Sequence, residues 1–519
     1  MSVEMDINNI EHTDSKVVHQ GMLKKIHYGR QRIILDYDEA NPNNVVEILQ
    51  KAMNIHAQNR KDCDYLIKYF LGDQDILYRA SPETSNINNN TVINYAYPIT
   101  REIVGYTFGN AIELVAKDSN KQKQVTKLSD MMEYENAYYH DICNALYGSI
   151  CGLSYSITLP SSDINKDFTP EVPIVIDSLD PRTTMVIQSN EIGNPQIMSC
   201  NIITKSDGKK EYVCYTPQYK MVVSNGMKDV SWEANPIGLD PITMIENSLF
   251  LTGDWEQAIS VMNASNLVAS DSLNDIEGTI RSLLVILGAE FDDDEEDSDL
   301  KKIKTNRLLT LTAPNGVGNV DAKFISPQLD GTSVQNLREY LDEALNIIVG
   351  IPDRESNGNG GDTGMAVLNR NGWTDIEIVA RLKEMFYLKG KSKQVGVAIK
   401  ILQKLNKLTK DLKVIDIDIK PKRHTLDNIS AKTTAFSTLV ATGELATIDC
   451  LELSSLTNRP AEMVERGKQA KKEREEEAIK MAKEAAKASG EGEESKQNGA
   501  NKTAEIEKDA SGNENDDKK

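Results

Sequence analysis

Several things are scarce in this 519-residue chain, and each scarcity removes a class of function. The six cysteines, Cys63, Cys143, Cys151, Cys200, Cys214 and Cys450, form no CxxC pair, so they read as scattered reduced thiols of a cytosolic protein. The six histidines are equally dispersed, and no His-x₃-His or Cys/His cluster has the spacing of a zinc site. Long apolar runs are missing. The longest, Leu283–Leu287, falls far short of the roughly 20 residues a membrane-spanning helix needs. Residues 1–20 are polar and acidic, which gives no secretion signal. Basic residues are in deficit: 59 Lys and Arg stand against 79 Asp and Glu, a net charge of −20. A protein that grips nucleic-acid phosphates would be basic, so static binding to DNA or RNA is disfavoured. An acidic wall past which a polyanion slides without sticking is still allowed. At 39% hydrophobic residues the composition is low for a compact enzyme of this length. Much of the surface is therefore solvated or shared with other subunits, in a chain long enough for two or more domains.

The stretch that organises the chain is residues 252–366. A first helix is expected from Asp254, as N-cap with Gln257 bonding back, to about Gly288. That is about 50 Å of helix. Its small polar residues Asn263, Ser265, Asn266, Ser270, Ser272 and Asn274 alternate with Val261, Met262, Leu267, Val268, Leu273 and Ile276. A helix this polar around its circumference packs against other copies of itself or borders water. A second helix follows, capped by Thr332 or Ser333. Val334, Leu337, Leu341, Ala344, Leu345 and Ile348 fall on one face, and Gly350 and Pro352 mark its end. Residues 353–363 then form a loop with no apolar side chain and three glycines, Gly358, Gly360 and Gly361. A phosphate cradle there would need a Lys-Ser/Thr pair after the last glycine and a strand before the loop. Thr363-Gly364-Met365 follows instead, and a helix precedes, so the loop reads as a flexible projection between two helices.

Elsewhere the pattern predicts helices over 41–58, 63–71, 95–106 and 121–152, and a strand over 111–115. Candidate strands over 153–159, 173–176, 184–188, 197–204, 212–215, 220–223 and 242–245 suit an antiparallel meander. In residues 290–299, eight of ten are acidic, but no glycine sits where a calcium loop needs one, so a solvated acidic turn is expected. Two short strands, 308–311 and 321–325, are expected across Pro314-Asn315-Gly316. A third helix should run from Met365 towards Leu408, broken near Gly372 and Gly390. A strand over 414–419, helices over 428–442 and 447–455, and a charged helix over 460–489 complete the ordered part. The tail, 490–519, is too polar to fold alone. The fold class is α+β, predominantly helical.

Five motifs in order resemble those of tailed-bacteriophage portal proteins of the type found in long-tailed phages of Gram-positive hosts. They are His27-Tyr28-Gly29-Arg30-Gln31 with Ile33, Ile34 and Leu35; Gly105-Tyr106-Thr107-Phe108-Gly109; and Asn235-Pro236 to Pro241 with Glu246-Asn247. Ala269-Ser270-Asp271 with Asn274-Asp275, and Ile351-Pro352-Asp353 with Thr363-Gly364-Met365-Ala366, complete the set. Thr363 stands where serine is usual. The resemblance covers about 340 residues and leaves out the N-terminal arm and the tail.

The resemblance implies a portal fold with wing, stem, clip and crown regions. The wing would be residues 1–253 plus part of the third helix, the stem helices 254–288 and 332–351, the clip 289–331, and the tunnel loop 352–363. Residues 364–489 would hold the long helix and crown helices. It also implies a homo-oligomeric ring, commonly of twelve subunits, at one capsid vertex, through which DNA is packaged and ejected. Partners would be the terminase large subunit, neck and head-completion proteins, the major capsid and scaffold proteins, and double-stranded DNA in the channel. No enzymatic activity, cofactor, metal or membrane is implied. The protein would reside in the virion, and in host cytoplasm during assembly. Candidate DNA-channel residues are Arg354, Asn357, Gly358, Asn359, Gly360, Gly361, Asp362 and Thr363. Candidates for subunit packing in the stem are Leu267, Asn274, Leu337, Leu341, Leu345 and Ile348. The alternative reading is an acidic multimeric scaffold or adaptor without a channel.

Overall fold

The computed structural model describes residues 28–80, 87–161, 173–280, 283–287, 321–325, 331–352, 373–423, 429–454, 456–457 and 460–488. The chain divides into two compact units at His424 and Thr425. The first contains β1 (Ile33–Leu35), α1 (Val45–Phe70), α2 (Ala96–Phe108), β2 (Glu113–Ala116), α3 (Gln122–Tyr134) and α4 (Ala137–Cys151). Eight strands follow: β3 (Leu153–Pro160), β4 (Ile174–Leu179), β5 (Thr184–Ser189), β6 (Gln196–Thr204), β7 (Lys210–Tyr215), β8 (Tyr219–Ser224), β9 (Asp229–Ala234) and β10 (Ile242–Glu246). The unit ends with α5 (Ile259–Ile280), β11 (Leu283–Leu287), β12 (Asp321–Ile325), α6 (Gly331–Val349), α7 (Trp373–Lys404) and β13 (Ile417–Lys420). The second unit contains α8 (Ile429–Ala441), α9 (Thr447–Leu453) and α10 (Pro460–Ala488), the last almost wholly exposed and highly charged. The fold is α+β and mainly helical, as the sequence indicates.

The expected meander is two sheets. Strands β5 to β9 run antiparallel in order, with β1 added in parallel beside β5, making six strands. Strands β10, β3 and β4 form a separate sheet. Val45, Ile48, Leu49 and Ala52 of α1 repeat at helical spacing and pack on Met185, Ile187, Met198 and Met221 of the six-stranded sheet. β13 pairs with β2 to close the unit.

Five expectations need correction. Helix α1 does not break between Gln58 and Cys63. Its polar interruption contains no Gly or Pro, and Asn59 within it clamps the backbone of Gln31 from both sides, accepting from its N–H and donating to its carbonyl, both at 2.8 Å. The helix expected over 121–152 is two, broken at Asn136, whose φ is 54°. The long helix does not break at Gly390. A Cβ there would lie 2.8 Å from Ile245 Cγ1 and 3.0 Å from the Met244 carbonyl, so this glycine lets β10 cross directly over α7. The helix expected to reach Gly288 ends at Ile280, and Leu283–Leu287 is a strand. A short apolar run with β-branched Val285 and Ile286 carries no periodicity to separate strand from helix. Its antiparallel partner is β12, with Leu283 opposite Ile325 and Leu287 opposite Asp321. Residues 308–311, expected in that role, lie outside the described residues.

Finally, Asp254 does not cap with Gln257. A 3-10 turn, Glu256–Ala258, precedes α5, and Glu256 accepts the Gly253 N–H at 2.8 Å. Among the described residues no helix is long and apolar enough to cross a membrane, and no group of three or more His, Cys, Asp or Glu is arranged to hold a metal ion.

Candidate functional site

The site is built from the root of α5 outward. Four of the five sequence motifs send residues to this region or to α7 beside it. Gly29 donates its N–H to Glu256 Oε1 at 2.8 Å, and Arg30 pairs with the same carboxylate, both side chains fully buried. Gly29 has a φ of 77°, and a Cβ would lie 2.2 Å from the Phe250 carbonyl, so only glycine fits. Arg32 reaches Glu246 at 2.5 Å, and Lys389 of α7 reaches it from the other side at 3.3 Å. Asn247 donates to Asp254 Oδ1 at 2.8 Å. Tyr106 donates to Glu377 of α7 at 3.0 Å, and Phe108 packs on Tyr387 with ring centroids 4.4 Å apart.

Helix α7 carries a buried polar stripe into this root. Lys383, Tyr387, Lys391 and Gln394 recur at helical spacing, and each meets a buried partner. Lys383 pairs with Asp254, which also accepts from Ser149 at 2.5 Å. Lys391 reaches both Asp141 oxygens at 2.6 and 2.8 Å, Tyr387 donates to the same carboxylate at 2.9 Å, and Gln394 donates to Ser156 at 2.7 Å. Burial pulls the Lys383 ammonium below its usual range, against the raising pull of Asp254, and burial also pushes the Glu256 carboxyl up. Such pairs hold position well because removing either partner strands a charge. Trp255, fully buried, stacks on Tyr69 at 5.5 Å and donates to Thr100 at 2.9 Å, fixing where α5 begins.

One polar face of α5 is occupied within the chain. The segment 87–94, outside any helix or strand, lies along it and has alternate backbone N–H groups taken in turn: Asn89 by Asn274 Oδ1 at 2.6 Å, Thr91 by Ser270 Oγ at 2.9 Å, and Ile93 by Asn266 Oδ1 at 2.7 Å. The repeats match, since four residues of helix rise about 6 Å and two residues of extended chain about 6.6 Å. Arg79 pairs with Asp271 at 2.6 Å, and Tyr69 donates to Asn263 at 2.9 Å. The expectation that this face meets other copies or water is therefore replaced by a strap from the same chain. The motif at residues 269–275 supplies three of these contacts, through Ser270, Asp271 and Asn274. Sequence reasoning flagged the polar residues but not their partner.

The candidate packing residues divide. Leu345 is buried with Val349 against the α5 root, and Asn274 serves the strap. Leu341 is half-buried. Leu267, Leu337 and Ile348 are 43%, 45% and 47% exposed, uncovered in a single chain. Both Gly350 and Ile351 donate to the Asn346 carbonyl, at 2.8 and 3.2 Å, ending α6 as expected. The candidate channel residues Arg354, Asn357, Gly358, Asn359, Gly360, Gly361, Asp362 and Thr363 lie outside the described residues, as do residues 1–27, 288–320 and 489–519. The flanking helices are anchored, α6 through Leu345 and Val349 and α7 through buried Ile376 and Ala380.

Four of the six cysteines meet in pairs that no spacing rule reveals: Cys200 lies opposite Cys214 across β6 and β7, and Cys151 contacts Cys63. A cleft of about 540 Å³ runs between Tyr28 to Arg32 and Leu249 to Leu251, but the two arginines on it are engaged with Glu256 and Glu246. What this arrangement does chemically is hold helices at fixed positions.

None of the curated proteins matches the chain. Among solved structures, the neck of an empty GTA particle computed with C6 symmetry is 14% identical with a TM-score of 0.42, covering 76% of this chain and 94% of that one. The neck of a native GTA particle computed with C12 symmetry is 13% identical with a TM-score of 0.42, covering 70% and 91%. A family model described as phage portal protein, SPP1 Gp6-like, matches residues 49–480. The chain belongs to this family of phage portal proteins.

Proposed function

We propose that the chain assembles head-to-tail into a closed ring, commonly of twelve copies in this family, set at one capsid vertex as the channel for packaging and ejecting DNA. Family membership over most of the chain carries the portal function. Support for the ring comes from α6, whose apolar stripe is wider than its own chain covers: Leu345 and Val349 are buried, while Leu337, Tyr340, Ile347 and Ile348 stay exposed. In this reading α5 and α6 are the stem, residues 289–331 the clip, residues 1–253 with part of α7 the wing, and the helices to residue 489 the crown. The protein is a structural part rather than an enzyme. The terminase large subunit and later the neck proteins dock on the clip, the capsid and scaffold proteins surround the wing, and all of it ends in the virion after assembly in host cytoplasm.

The tunnel loop is proposed to touch passing DNA. Gly358, Gly360 and Gly361 let its backbone move at little steric cost. Asn357 and Asn359 offer donors without fixed charge, and Arg354 is balanced by Asp353, Glu355 and Asp362. The net charge of −20 favours passage without adhesion. Native mass of the full chain tests the ring: a closed species near twelve times 57.7 kDa supports it. A monomer or dimer at all concentrations overturns it. Loop placement is tested separately by cross-linking Asn359→Cys between copies, which should block DNA passage in a packaging assay while leaving ring mass unchanged.

A further inference from the structure

The proposed ring needs two different faces on each copy that meet the next copy in sequence. The strongest uncovered feature of α6 is a hollow of about 300 Å³ lined by Tyr340, Glu343, Ala344, Ile347 and Ile348. Four of these, Tyr340, Glu343, Ala344 and Ile347, stand at i, i+3, i+4 and i+7. That is the four-cornered hole into which a side chain of a facing helix inserts, and the small Ala344 at one corner leaves it room. The hole calls for a helix whose apolar side chains recur at i, i+4 and i+7.

Helix α7 presents such a row. Ile378, Leu382 and Met385 are exposed at that spacing, Met385 at 69%, on the side of the helix away from the buried Lys383, Tyr387 and Lys391. Beside Leu382 stands Arg381, whose exposed i,i+4 pair with Glu377 at 3.1 Å is of a kind worth little. Within one chain the hole of α6 is open while the row on α7 is uncovered, so the two do not serve each other in the same copy. Their shapes and charges suit each other across copies: an apolar hole bordered by Glu343 and an apolar row bordered by Arg381.

Resting on the ring reading, we infer that α7 of one copy inserts Leu382, flanked by Ile378 and Met385, into the α6 hole of the next copy, with Arg381 reaching Glu343. The two faces differ, so the contact repeats head-to-tail instead of ending at a dimer, as the proposed ring requires. Met385, at one end of the inserting row, is unbranched and adapts to an irregular surface. The occupant is a second copy of this chain.

Two full-length chains test it, one carrying Ala344→Cys and one Leu382→Cys, produced separately and together and treated with a short bis-maleimide. The unmodified chain reads out the background of the native thiols, five buried and Cys143 half-buried. The co-produced chains should give a covalent dimer that neither gives alone, and one chain carrying both substitutions should give a ladder of multimers. Rings of normal mass without that dimer overturn this contact and leave the ring reading standing. Cross-linking by Ala344→Cys alone, which would mean a two-fold contact, or closure within one chain, also overturns it. A chain monomeric at every concentration overturns both readings. Charge reversal gives an independent check: Glu343→Arg should lower the multimer fraction several-fold, and Arg381→Glu in the same chain should restore it. No restoration, with both variants folded, counts against the pairing.

Discussion

Asn89 and Asn274, 185 positions apart, meet at 2.6 Å, with the backbone N–H of Asn89 donating to the side-chain oxygen of Asn274. This bond starts the ladder that continues through Thr91 with Ser270 and Ile93 with Asn266. An extended segment outside any sheet has its alternate N–H groups satisfied by side chains of one helix. Backbone donors this far withdrawn from water need such partners.

The first prediction concerns that ladder. Asn266→Ala leaves the Ile93 N–H without its acceptor and should cost about 1–3 kcal/mol. The loss should be local first. Amide hydrogen exchange at Asn89, Thr91 and Ile93 should speed up while the six-stranded sheet keeps its protection. Unchanged exchange in residues 87–95 would mean that the strap is held by something other than these bonds.

The second concerns the buried pair of Lys383 and Asp254, both nearly solvent-free. Lys383→Met strands a carboxylate and should destabilise by about 3–5 kcal/mol in urea unfolding. Adding Asp254→Asn should recover most of that, because the amide keeps an acceptor for Asn247 and reaches Ser149 with its other end. If the double variant is as unstable as the single one, the lysine's role is packing and not charge.

The third is a pH dependence with two opposing parts. Asp240 keeps some exposure as a residue, but its Oδ2 is out of solvent. Burial pushes its carboxyl from 3.8 up to about 7, against the lowering pull of Ser199, which donates to it at 2.5 Å. The folded chain thus holds a proton that the unfolded chain loses, so this group's contribution falls as pH rises from about 4 to 7. His56 acts in reverse. Burial lowers its ring from 6.5 to about 4, so stability is lost as pH falls through that window. In the native chain the two slopes largely cancel between about pH 4 and 6.5. Asp240→Asn removes one of them. The variant should be more stable than the native chain above pH 7, by an amount on the order of a few kcal/mol, and should lose stability more steeply on acidification. Melting temperatures from pH 5 to 8 check both signs, and parallel curves for the two proteins would rule the assignment out.

What could be read in the sequence was what periodicity records. Seven strands between residues 153 and 246, the face of α6, and the helices of the second unit were placed within a few residues. The misses have two causes: a role set by a partner distant in the chain, and an element too short or too exposed to carry a pattern. Asn59 looked like a polar gap between two helices because its partner, Gln31, contributes only backbone. Gly390 looked like a breaker because the strand that needs it is about 145 residues earlier. Lys383 and Lys391 gave no sign of burial, since lysine on a helix is ordinarily solvated. β1 is three residues long and β9 is largely exposed, so neither carried a readable pattern. Of the candidate site, the apolar face of α6 was legible, but not which part of it the chain covers itself.

Gly390 gives the fourth prediction, because two effects oppose each other there. Helix propensity alone favours Gly390→Ala by about 1 kcal/mol. The added Cβ, however, would meet Ile245 Cγ1 at 2.8 Å and its Cα at 3.0 Å, and the latter cannot rotate away. Overpacking of this kind costs about 1–3 kcal/mol, so the variant should be less stable in urea unfolding despite its better helix former. A gain in stability would mean that β10 can move away from α7 without loss.

The last prediction separates the two faces of α6 with residues two positions apart. Leu345 is 2% exposed and packs with Val349 on the Trp255 region, whereas Ile347 is 72% exposed and touches the open hollow. Successive positions two apart on a helix point about 200° away from each other, since each residue turns about 100°. If the buried side serves folding and the open side serves assembly, substitutions should sort accordingly. Leu345→Ala leaves a cavity and should cost the isolated chain about 2–5 kcal/mol. Ile347→Ser removes little packing within the chain, so unfolding of the unassembled chain should stay within about 0.5 kcal/mol of native. Its effect should appear only in assembly, as a shift from ring to smaller species in native mass at matched concentration. An Ile347→Ser chain that forms rings normally would place the subunit contact elsewhere on the molecule. A Leu345→Ala chain of native stability would mean that the packing against Trp255 does not hold α6 in place.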